Sequence, residues 1–551
     1  AVVLGVAVYG VDVVPASQMR EELKTLVPVV LKVNLALVIL GIVLCGKDLA
    51  GAIFSLINRR GMALAAVVAG TLLLAAFAAP RTHRIYYDED IYANVGQTMA
   101  ESGQAAFANY ALFENGRYTP IWTEYNKEPA GWPFLLSLCF TLFGTDEAFL
   151  FVLNNLLFAG GVLIAFFITR RCGAGFFPSL AAAAVYGLIP HNVMWANTGA
   201  VEPSATFFAG ATALAALAFL QSGQNRHLFL LSVLIPMACY MRPESLLIFF
   251  WVVVVLLTER PSVFAKLRAW GCALVTVLLL VPLWLHLSAV SGESWGAEGA
   301  KFSMAFFGPN LAVNGPYYLN GEEFPAAITV LALVGLAAAK TTVRRRAMLL
   351  LWFFLFWAVF LFFYAGSYNY GADERFALLS FLPLSVLAGL GAGRLRDLAG
   401  MKCGKTAASV LLGTGILFFA ALFLPQVRTL GQEAWAARGD HHHAKRFAEQ
   451  IPQRSVVLTQ NPSMFLLWGR GAIQTYTGVT APGVIGHLLL RFPENVYFHY
   501  NYWCNTPTPG NQRLCSEMMR RYELSLVDRA TEQDFVYALY RVEGLKAGGG
   551  K

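Results

Sequence analysis

The chain has 551 residues, of which 57% are hydrophobic and only 13% are charged. Soluble domains carry about 25% charged residues, so a chain this apolar uses lipid as its solvent over much of its length. The net charge of +8 does not indicate nucleic-acid binding, because the basic residues lie in short clusters between apolar runs. We therefore expect an integral membrane protein with no nucleic-acid partner.

Apolar runs suited to membrane helices recur from residue 29 to residue 424. A helix needs about 20 residues to cross the hydrocarbon core. The longer runs are 29–44, 62–79, 148–169, 176–195, 203–220, 270–287, 326–339, 347–364, 376–390 and 407–424. Two shorter runs flank Arg242-Pro243-Glu244, where proline interrupts the helix and the charges must face protein or a wet cavity. The pattern predicts a polytopic α-helical membrane protein with about 11–13 transmembrane helices.

Lysine and arginine gather in alternate loops, and this bias assigns those loops to the cytoplasmic side. The basic loops are centred on 47–60, 170–171, 226, 260–268, 340–346 and 394–405. The opposite side then receives 81–147, 196–202, 289–325, 365–375 and everything after 424. The long loop at 81–147 is therefore predicted to be extracytoplasmic.

Composition divides the chain into four segments. Residues 1–80 hold N-terminal transmembrane helices, 81–147 form the long first outer loop, and 148–424 form the remaining transmembrane module. After residue 424 charge rises and apolar runs shorten, so 425–551 is predicted to be a small extracytoplasmic α/β domain, with strands at 455–459 and 535–541. Cys504 and Cys515 both lie in this polar segment, and an oxidising compartment would favour a disulfide between them.

Three consecutive carboxylates, Asp88-Glu89-Asp90, follow the apolar run 62–79. Aspartate costs roughly 2.5–3.5 kcal/mol at a bilayer centre, so carboxylates at a membrane edge are candidates for function. Further along, Lys127-Glu128-Pro129 precedes an apolar helix, and Glu202-Pro203 opens another span.

The stretch 87–220 resembles the polyprenyl-phosphate-dependent glycosyltransferases of the GT-C class, in particular the bacterial aminoarabinose transferases and protein O-mannosyltransferases. The resemblance rests on Asp88-Glu89 with Tyr92-Ala93, on Lys127-Glu128-Pro129 and on Glu202-Pro203. The chain departs from the pattern at Glu128, where proline is usual, and at Glu202, where aspartate is common. The resemblance implies a GT-C-like fold in the bacterial inner membrane, a polyprenyl-phosphate sugar donor and an acceptor on the periplasmic side.

The resemblance also implies roles for individual residues, since sugar transfer needs a base for the acceptor proton and cations for the leaving phosphate. Asp88 aligns with the catalytic aspartate of the family and is expected to act as base, together with Glu89. The expected donor-phosphate ligands are Lys127, Arg242 and Arg375, and the expected substrate contacts are Asp90, Tyr92, Glu202 and Tyr370.

Each of these residues also has a structural interpretation. Asp88 to Asp90 could be solvated or arginine-paired helix ends, and Glu202 could be a helix-start charge before Pro203. The remaining alternatives are a surface pair of Lys127 with Glu124 or Glu128, an internal pair of Arg242 with Glu244, a local pair of Arg375 with Asp373, and an interfacial aromatic position for Tyr370.

Two patterns are not assigned to chemistry. Gly389-Leu390-Gly391-Ala392-Gly393 mimics a dinucleotide loop, but no strand precedes it, so helix packing is expected. His441-His442-His443 is interpreted as a solvated helix face, because one face cannot present all three side chains. No metal-ligand set is predicted, and a divalent metal is left open as a cofactor only because the family includes metal-dependent members.

The leading hypothesis is an integral-membrane glycosyltransferase that moves a hexosyl or pentosyl group, with inversion, from a polyprenyl monophosphate to a lipid, glycan or protein. The alternative is a secondary transporter or flippase, which would also use midplane charges and broken helices. Transporters usually show paired halves, and no internal repeat is visible here. A non-catalytic envelope scaffold is the third hypothesis.

Overall fold

The computed structural model describes residues 14–114, 116–294, 297, 299–320, 324–338, 341–370, 374–437, 439–506 and 509–546. The chain folds as two compact units. The helical unit comprises Ala1–Arg81, Lys127–Trp132 and Phe151–Gly431, and the sheet unit comprises Thr82–Asn126, Pro133–Leu150 and Gln432–Lys551.

The helices up to residue 437 belong mainly to the helical unit. In chain order they are α1 (Ala16–Leu44), α2 (Gly46–Phe54), α3 (Arg59–Ala78), α4 (Tyr86–Ser102), α5 (Gly131–Phe143), α6 (Ala148–Arg171), α7 (Phe176–Leu188), α8 (Pro190–Trp195), α9 (Glu202–Ser222), α10 (Asn225–Cys239), α11 (Leu246–Glu259), α12 (Leu267–Ala289), α13 (Phe307–Asn320), α14 (Ala326–Ala338), α15 (Val343–Leu361), α16 (Leu378–Cys403) and α17 (Lys405–Ala437). Of these, α4 lies in the sheet unit, as do residues 133–143 of α5, the first three residues of α6 and the last six of α17.

The remaining elements build the sheet unit. Its later helices are α18 (Gly439–Gln450), α19 (Pro462–Leu467), α20 (Thr475–Thr480), α21 (Pro482–Arg491), α22 (Tyr502–Asn505) and α23 (Pro509–Arg521). Its strands are β1 (Ala106–Glu114), β2 (Arg117–Tyr125), β3 (Val456–Thr459), β4 (Gly471–Gln474), β5 (Val496–Tyr500), β6 (Tyr522–Glu532) and β7 (Phe535–Leu545).

Seven helices among the described residues are long and apolar enough to cross a membrane by length and composition, and shorter apolar helices of 10–17 residues accompany them. The predicted polytopic α-helical membrane fold is thereby confirmed. One predicted span, 176–195, is broken into α7 and α8 because Pro190 disfavours a helical residue before it. Ile189 is accordingly extended, with φ −65° and ψ 122°.

Helix α16 is the most deeply buried of the long apolar helices described, since every residue from Phe376 to Gly393 is buried. It packs closely on α14, where a Cβ on Gly391 would lie 1.9 Å from the carbonyl oxygen of Leu331. A Cβ on Gly335 of α14 would lie 2.0 Å from the carbonyl oxygen of Leu387. The glycine run that mimics a dinucleotide loop therefore serves helix packing, as predicted.

Four of the basic loops lie together at one end of the helical unit. Arg345 donates to the carbonyl oxygen of Arg171 at 2.9 Å, and Arg171 also bonds the side chain of Gln221 at 2.6 Å. Arg226 pairs with Asp48 at 3.0 Å. Loops that are basic in the sequence thus lie at the same end of the helical bundle.

The sheet unit contains one seven-stranded sheet in the order β2-β1-β4-β3-β5-β7-β6. Strand β3 is parallel to β4 and β5, and the other pairings are antiparallel. Because successive side chains point to opposite faces, Val457 packs beside α18 and α19, whereas Leu458 packs beside α21 and α23. The central strand is consequently buried on both faces.

The sheet joins two segments that the composition separates, 81–147 and 425–551. The hairpin of β1 and β2 comes from the first outer loop, and β1 pairs with β4 through Tyr110 opposite Ile473 and Ala111 opposite Ala472. Together with α4, this hairpin belongs to the same compact unit as the C-terminal region.

Cys504 and Cys515 form a disulfide with an S–S distance of 2.12 Å, joining α22 to α23. Both residues are buried. The other six cysteines are free, and of these Cys403 is exposed.

Replacing both bonded cysteines with alanine is expected to lower the stability of the sheet unit by about 3 kcal/mol, because closing a loop of this length restricts the unfolded chain. Thermal unfolding of the full chain in detergent measures the change, with Cys403→Ala as the matched single-thiol control. Equal unfolding temperatures for the double variant and the control would contradict a stabilising role.

Candidate functional site

The three predicted carboxylates occupy the first turns of α4, but they differ in exposure. Glu89 is fully buried, and its Oε1 accepts hydrogen bonds from the backbone N–H groups of Arg84 at 2.8 Å and Ile85 at 2.9 Å. Asp90 is 1% exposed. Asp88 is only partly buried, so it is the carboxylate of this turn that an incoming molecule can reach.

Two histidines lie between Asp90 and Glu147 in the sheet unit. Nδ1 of His441 lies 3.2 Å from Oδ1 of Asp90, and its Nε2 lies 2.7 Å from Oε1 of Glu147. Nδ1 of His83 lies 3.5 Å from the same Asp90 oxygen, and its Nε2 lies 2.9 Å from Oε1 of Glu147. The two imidazole rings stack with centroids 3.8 Å apart. Each imidazole therefore bridges the same two carboxylates.

This His–carboxylate cluster corrects the interpretation of the histidine run at 441–443. His442 is exposed, as a solvated helix face requires, but His443 is buried beside Tyr537 and His441 is largely buried in the cluster. The prediction fails for His441 and His443 because their partners lie far away in the sequence. No motif in the neighbouring sequence identifies His83 or Glu147 as members of this cluster.

Electrostatics in the cluster follow from its opposed charges. Burial alone would lower the pKa of His441, but the negative charges of Asp90 and Glu147 raise it to about 10. Burial alone would raise the pKa of Glu147, yet hydrogen bonds from His441 and His83 hold it far below its usual range. Glu147 is also held by Lys445 at 2.5 Å and by the indole N–H of Trp468 at 3.2 Å.

In the helical unit, the break between α10 and α11 places Arg242 against two glutamates. Its guanidinium pairs with Glu202, the first residue of α9, and with Glu244 across Pro243. Glu202 is fully buried, and Arg242 and Glu244 are about nine-tenths buried. Arg242 therefore forms the internal pair with Glu244 that the sequence allowed, and Glu202 is a charge at the start of a helix. Both belong to one ion cluster.

Arg242 and Arg375 contact the same aromatic ring, that of Phe376. The guanidinium carbon of Arg242 lies 5.3 Å from the centroid of Phe376, and that of Arg375 lies 4.9 Å from it. Phe376 is buried and stacks on Phe360 at 4.3 Å. Two residues expected from the sequence, Arg242 and Arg375, thus lie against one ring, and a third, Glu202, is paired with Arg242. Asp373, the alternative partner of Arg375, lies outside the described residues.

The segment that carries Lys127 is fixed to the helical unit near this cluster. Gly131 donates its N–H to the carbonyl oxygen of Tyr240 at 2.9 Å, and Trp132 donates its indole N–H to Gly199 at 2.8 Å. Lys127 itself is exposed. Burial lowers the pKa of Lys301, Glu293 opposes this change, and Lys127 adds to it, so the two lysines share one electrostatic environment. Lys301 is not among the site residues that the sequence predicts.

The two predicted tyrosine contacts differ in accessibility. Tyr92 is 5% exposed within α4, so its ring belongs to the core of the sheet unit. Tyr370 is 50% exposed and meets Tyr364 edge to face at 5.9 Å. Only Tyr370 presents a side chain that a ligand can contact without rearrangement.

Comparison with solved structures confirms the predicted resemblance at the level of fold. The chain aligns with apo ArnT from Cupriavidus metallidurans over 88% of this chain and 98% of that chain, with 14% identity and a TM-score of 0.55. For ArnT bound to undecaprenyl phosphate the TM-score is 0.53 at the same identity and coverage.

A second similar structure is the archaeal oligosaccharyltransferase AglB from Archaeoglobus fulgidus, in complex with an inhibitory peptide and a dolichol-phosphate. The alignment covers 86% of this chain and 74% of that chain, with 10% identity and a TM-score of 0.50. At identities this low the likeness shows the fold. Comparison of the sequence with protein-family models and with curated proteins finds no match.

Replacing Arg242 with alanine is expected to destabilise the helical unit by about 3–5 kcal/mol, because Glu202 would stay buried without its cation. Thermal unfolding in detergent measures the loss. Combining Arg242→Ala with Glu202→Gln is expected to recover part of the stability, since a neutral amide costs less to bury than a carboxylate.

The matched control is Arg396→Ala in the same unit, where the pair with Asp397 is about one-fifth exposed. Partly exposed pairs contribute about 0–1 kcal/mol, so this variant should unfold close to the parent. If Arg242→Ala unfolded like Arg396→Ala, the buried ion cluster would carry no structural role.

Proposed function

We propose that the protein is a membrane-embedded glycosyltransferase that moves one sugar from a polyprenyl phosphate to an extracytoplasmic acceptor, with inversion at the anomeric carbon. The observation that carries this proposal is the fold, which aligns over 98% of a chain whose solved structure contains undecaprenyl phosphate. The guanidinium groups of Arg242 and Arg375 on one buried ring support it from this chain's own residues.

Asp88 is proposed as the general base. It takes the proton from an acceptor hydroxyl or amine as that atom attacks the anomeric carbon of the donor. The new bond forms to the acceptor atom, the bond between the anomeric carbon and the phosphate oxygen breaks, and its electron pair leaves with the polyprenyl phosphate. The buried neighbours Glu89 and Asp90 support this role by fixing the turn of α4 in which Asp88 remains partly exposed.

The phosphate that leaves gains negative charge, and cations that face it stabilise the transition state. Arg375 is proposed as the direct phosphate ligand, because an arginine fork matches phosphate geometry. Arg242 is already paired with Glu202 and Glu244, so it is proposed to add charge while Glu202 positions it. Lys127 is exposed on its anchored segment and is proposed as a further point charge toward the phosphate.

A lipid-linked donor suits an outer active site, because nucleotide sugars are unavailable there. The basic loops gathered at one end of the helical unit support a cytoplasmic assignment of that end. The disulfide between Cys504 and Cys515 supports an oxidising compartment, such as the bacterial periplasm, for the sheet unit.

Tyr370 is proposed as a substrate contact, since half of its side chain is exposed.

Asp88→Asn is expected to lower kcat for sugar transfer by about 10²–10⁴-fold, because asparagine keeps the shape of the carboxylate but accepts no proton. The assay supplies the purified chain with a polyprenyl-phosphate sugar and measures release of polyprenyl phosphate. The KM for the donor should change little, since Asp88 is not proposed to contact the phosphate.

Glu101→Gln is the matched control, because Glu101 is an exposed carboxylate in the last turn of the same helix. Transfer by Asp88→Asn at the control rate would remove Asp88 as base. A parent chain that moves the lipid-linked sugar across vesicles without transferring it would instead favour the flippase.

A further inference from the structure

The histidine–carboxylate cluster of the sheet unit contains three potential metal ligands that converge. One ring nitrogen of His83, one of His441 and a carboxylate oxygen of Asp90 all lie within 4.8 Å of one another. The Asp90 oxygen is 3.5 Å from the first nitrogen and 3.2 Å from the second. In a tetrahedral zinc site with bonds of 2.0–2.2 Å, neighbouring ligand atoms are roughly 3.3–3.6 Å apart.

We propose that His83, Asp90 and His441 bind a divalent transition-metal ion, with zinc as the best fit. Two imidazole nitrogens and one carboxylate oxygen form a donor set that zinc accepts, whereas magnesium and calcium prefer oxygen ligands alone. Oε2 of Glu89, 3.6 Å from Nδ1 of His83, is placed to become the fourth ligand, and a water molecule would serve equally.

Glu147 supplies the outer contacts that such a site requires. Metal-bound histidines usually donate their second ring N–H to a carboxylate, which fixes the tautomer and makes the ligand nitrogen more basic. Here Nε2 of both His83 and His441 lies within 2.9 Å of Oε1 of Glu147. In the metal-bound state, both Nε2 atoms would keep their protons, and the ion would displace any proton from the two Nδ1 atoms beside Asp90. Lys445 and Trp468 hold the other oxygen of Glu147 in place.

The charge of the site favours a cation as well. Asp90 and Glu147 bring two carboxylates into a place where Asp90 is 1% exposed and His83 is 2% exposed. Lys445 already pairs with Glu147, so a divalent ion would balance the charges of Asp90 and Glu89. It would also join three chain segments, the loop before α4, the start of α4 and α18. The imidazole planes differ by 25°, so binding at both Nδ1 atoms requires the stacked rings to splay apart.

The experiment uses the untagged full chain in detergent, stripped with a chelator and then titrated with zinc chloride or cobalt chloride. Elemental analysis after dialysis is expected to give one zinc per chain, and cobalt should give the visible absorption of a tetrahedral site. Zinc should also raise the unfolding temperature of the stripped protein. These readouts do not depend on transferase activity, so they separate this proposal from the proposed function.

The matched pair of variants is His441→Ala and His442→Ala, adjacent histidines of which only the first lies in the cluster. His441→Ala should abolish zinc retention, whereas His442→Ala should keep it. Glu147→Gln should retain the ion with about 10–100-fold lower affinity. A stripped parent that takes up no zinc would overturn the proposal, as would equal loss in both histidine variants, which would indicate adventitious binding to the histidine run. In either case the cluster is a proton-bridged ion group.

Discussion

The pairing of Arg242 with Glu202 and Glu244 allows these three charges to be buried in the helical unit of a highly apolar chain. A guanidinium without partners at this burial would cost several kcal/mol of desolvation. The pairing ties the start of α9 to the break between α10 and α11, and the contact with Phe376 extends it to the start of α16. The ends of four helices, α9, α10, α11 and α16, therefore meet at Arg242, and Arg375 lies at the same ring.

In the sheet unit, buried carboxylates are paired with histidines in place of an arginine. Arginine keeps its charge under all conditions that a protein meets, so it suits a permanent pair. Histidine can be protonated, neutral or bound to a metal, so the cluster around Asp90 and Glu147 admits two chemically different states. Asp88 lies two residues before Asp90 and is partly exposed. The contacts that hold Asp90 in the cluster, either protons or a metal ion, therefore also hold the turn that carries the proposed base.

Local patterns predicted the features that depend on local physics. The apolar runs predicted most membrane helices, Pro243 predicted the broken helix, and the short apolar run at 455–459 predicted the buried strand β3. The hairpin of β1 and β2 was missed, although Asn115-Gly116 between two alternating stretches is a strong turn signal. Its position between membrane helices favours a connecting loop instead.

The histidine cluster could not be predicted in the same way. His83 and His441 are 358 positions apart in the sequence and meet only because the first outer loop and the C-terminal region share one compact unit. Neither has a metal-ligand spacing around it, and Glu147 looks like an ordinary helix-start charge. Likewise, the contact of Arg242 and Arg375 with Phe376 depends on the packing of α16, which no short motif encodes.

The most direct test of the central claim is a cryo-electron microscopy map of the full chain in lipid nanodiscs with undecaprenyl phosphate. The account predicts phosphate density in contact with the guanidinium of Arg375 and adjacent to Arg242. Phosphate density at a site away from both arginines would contradict the assignment of this cluster to a lipid-linked donor.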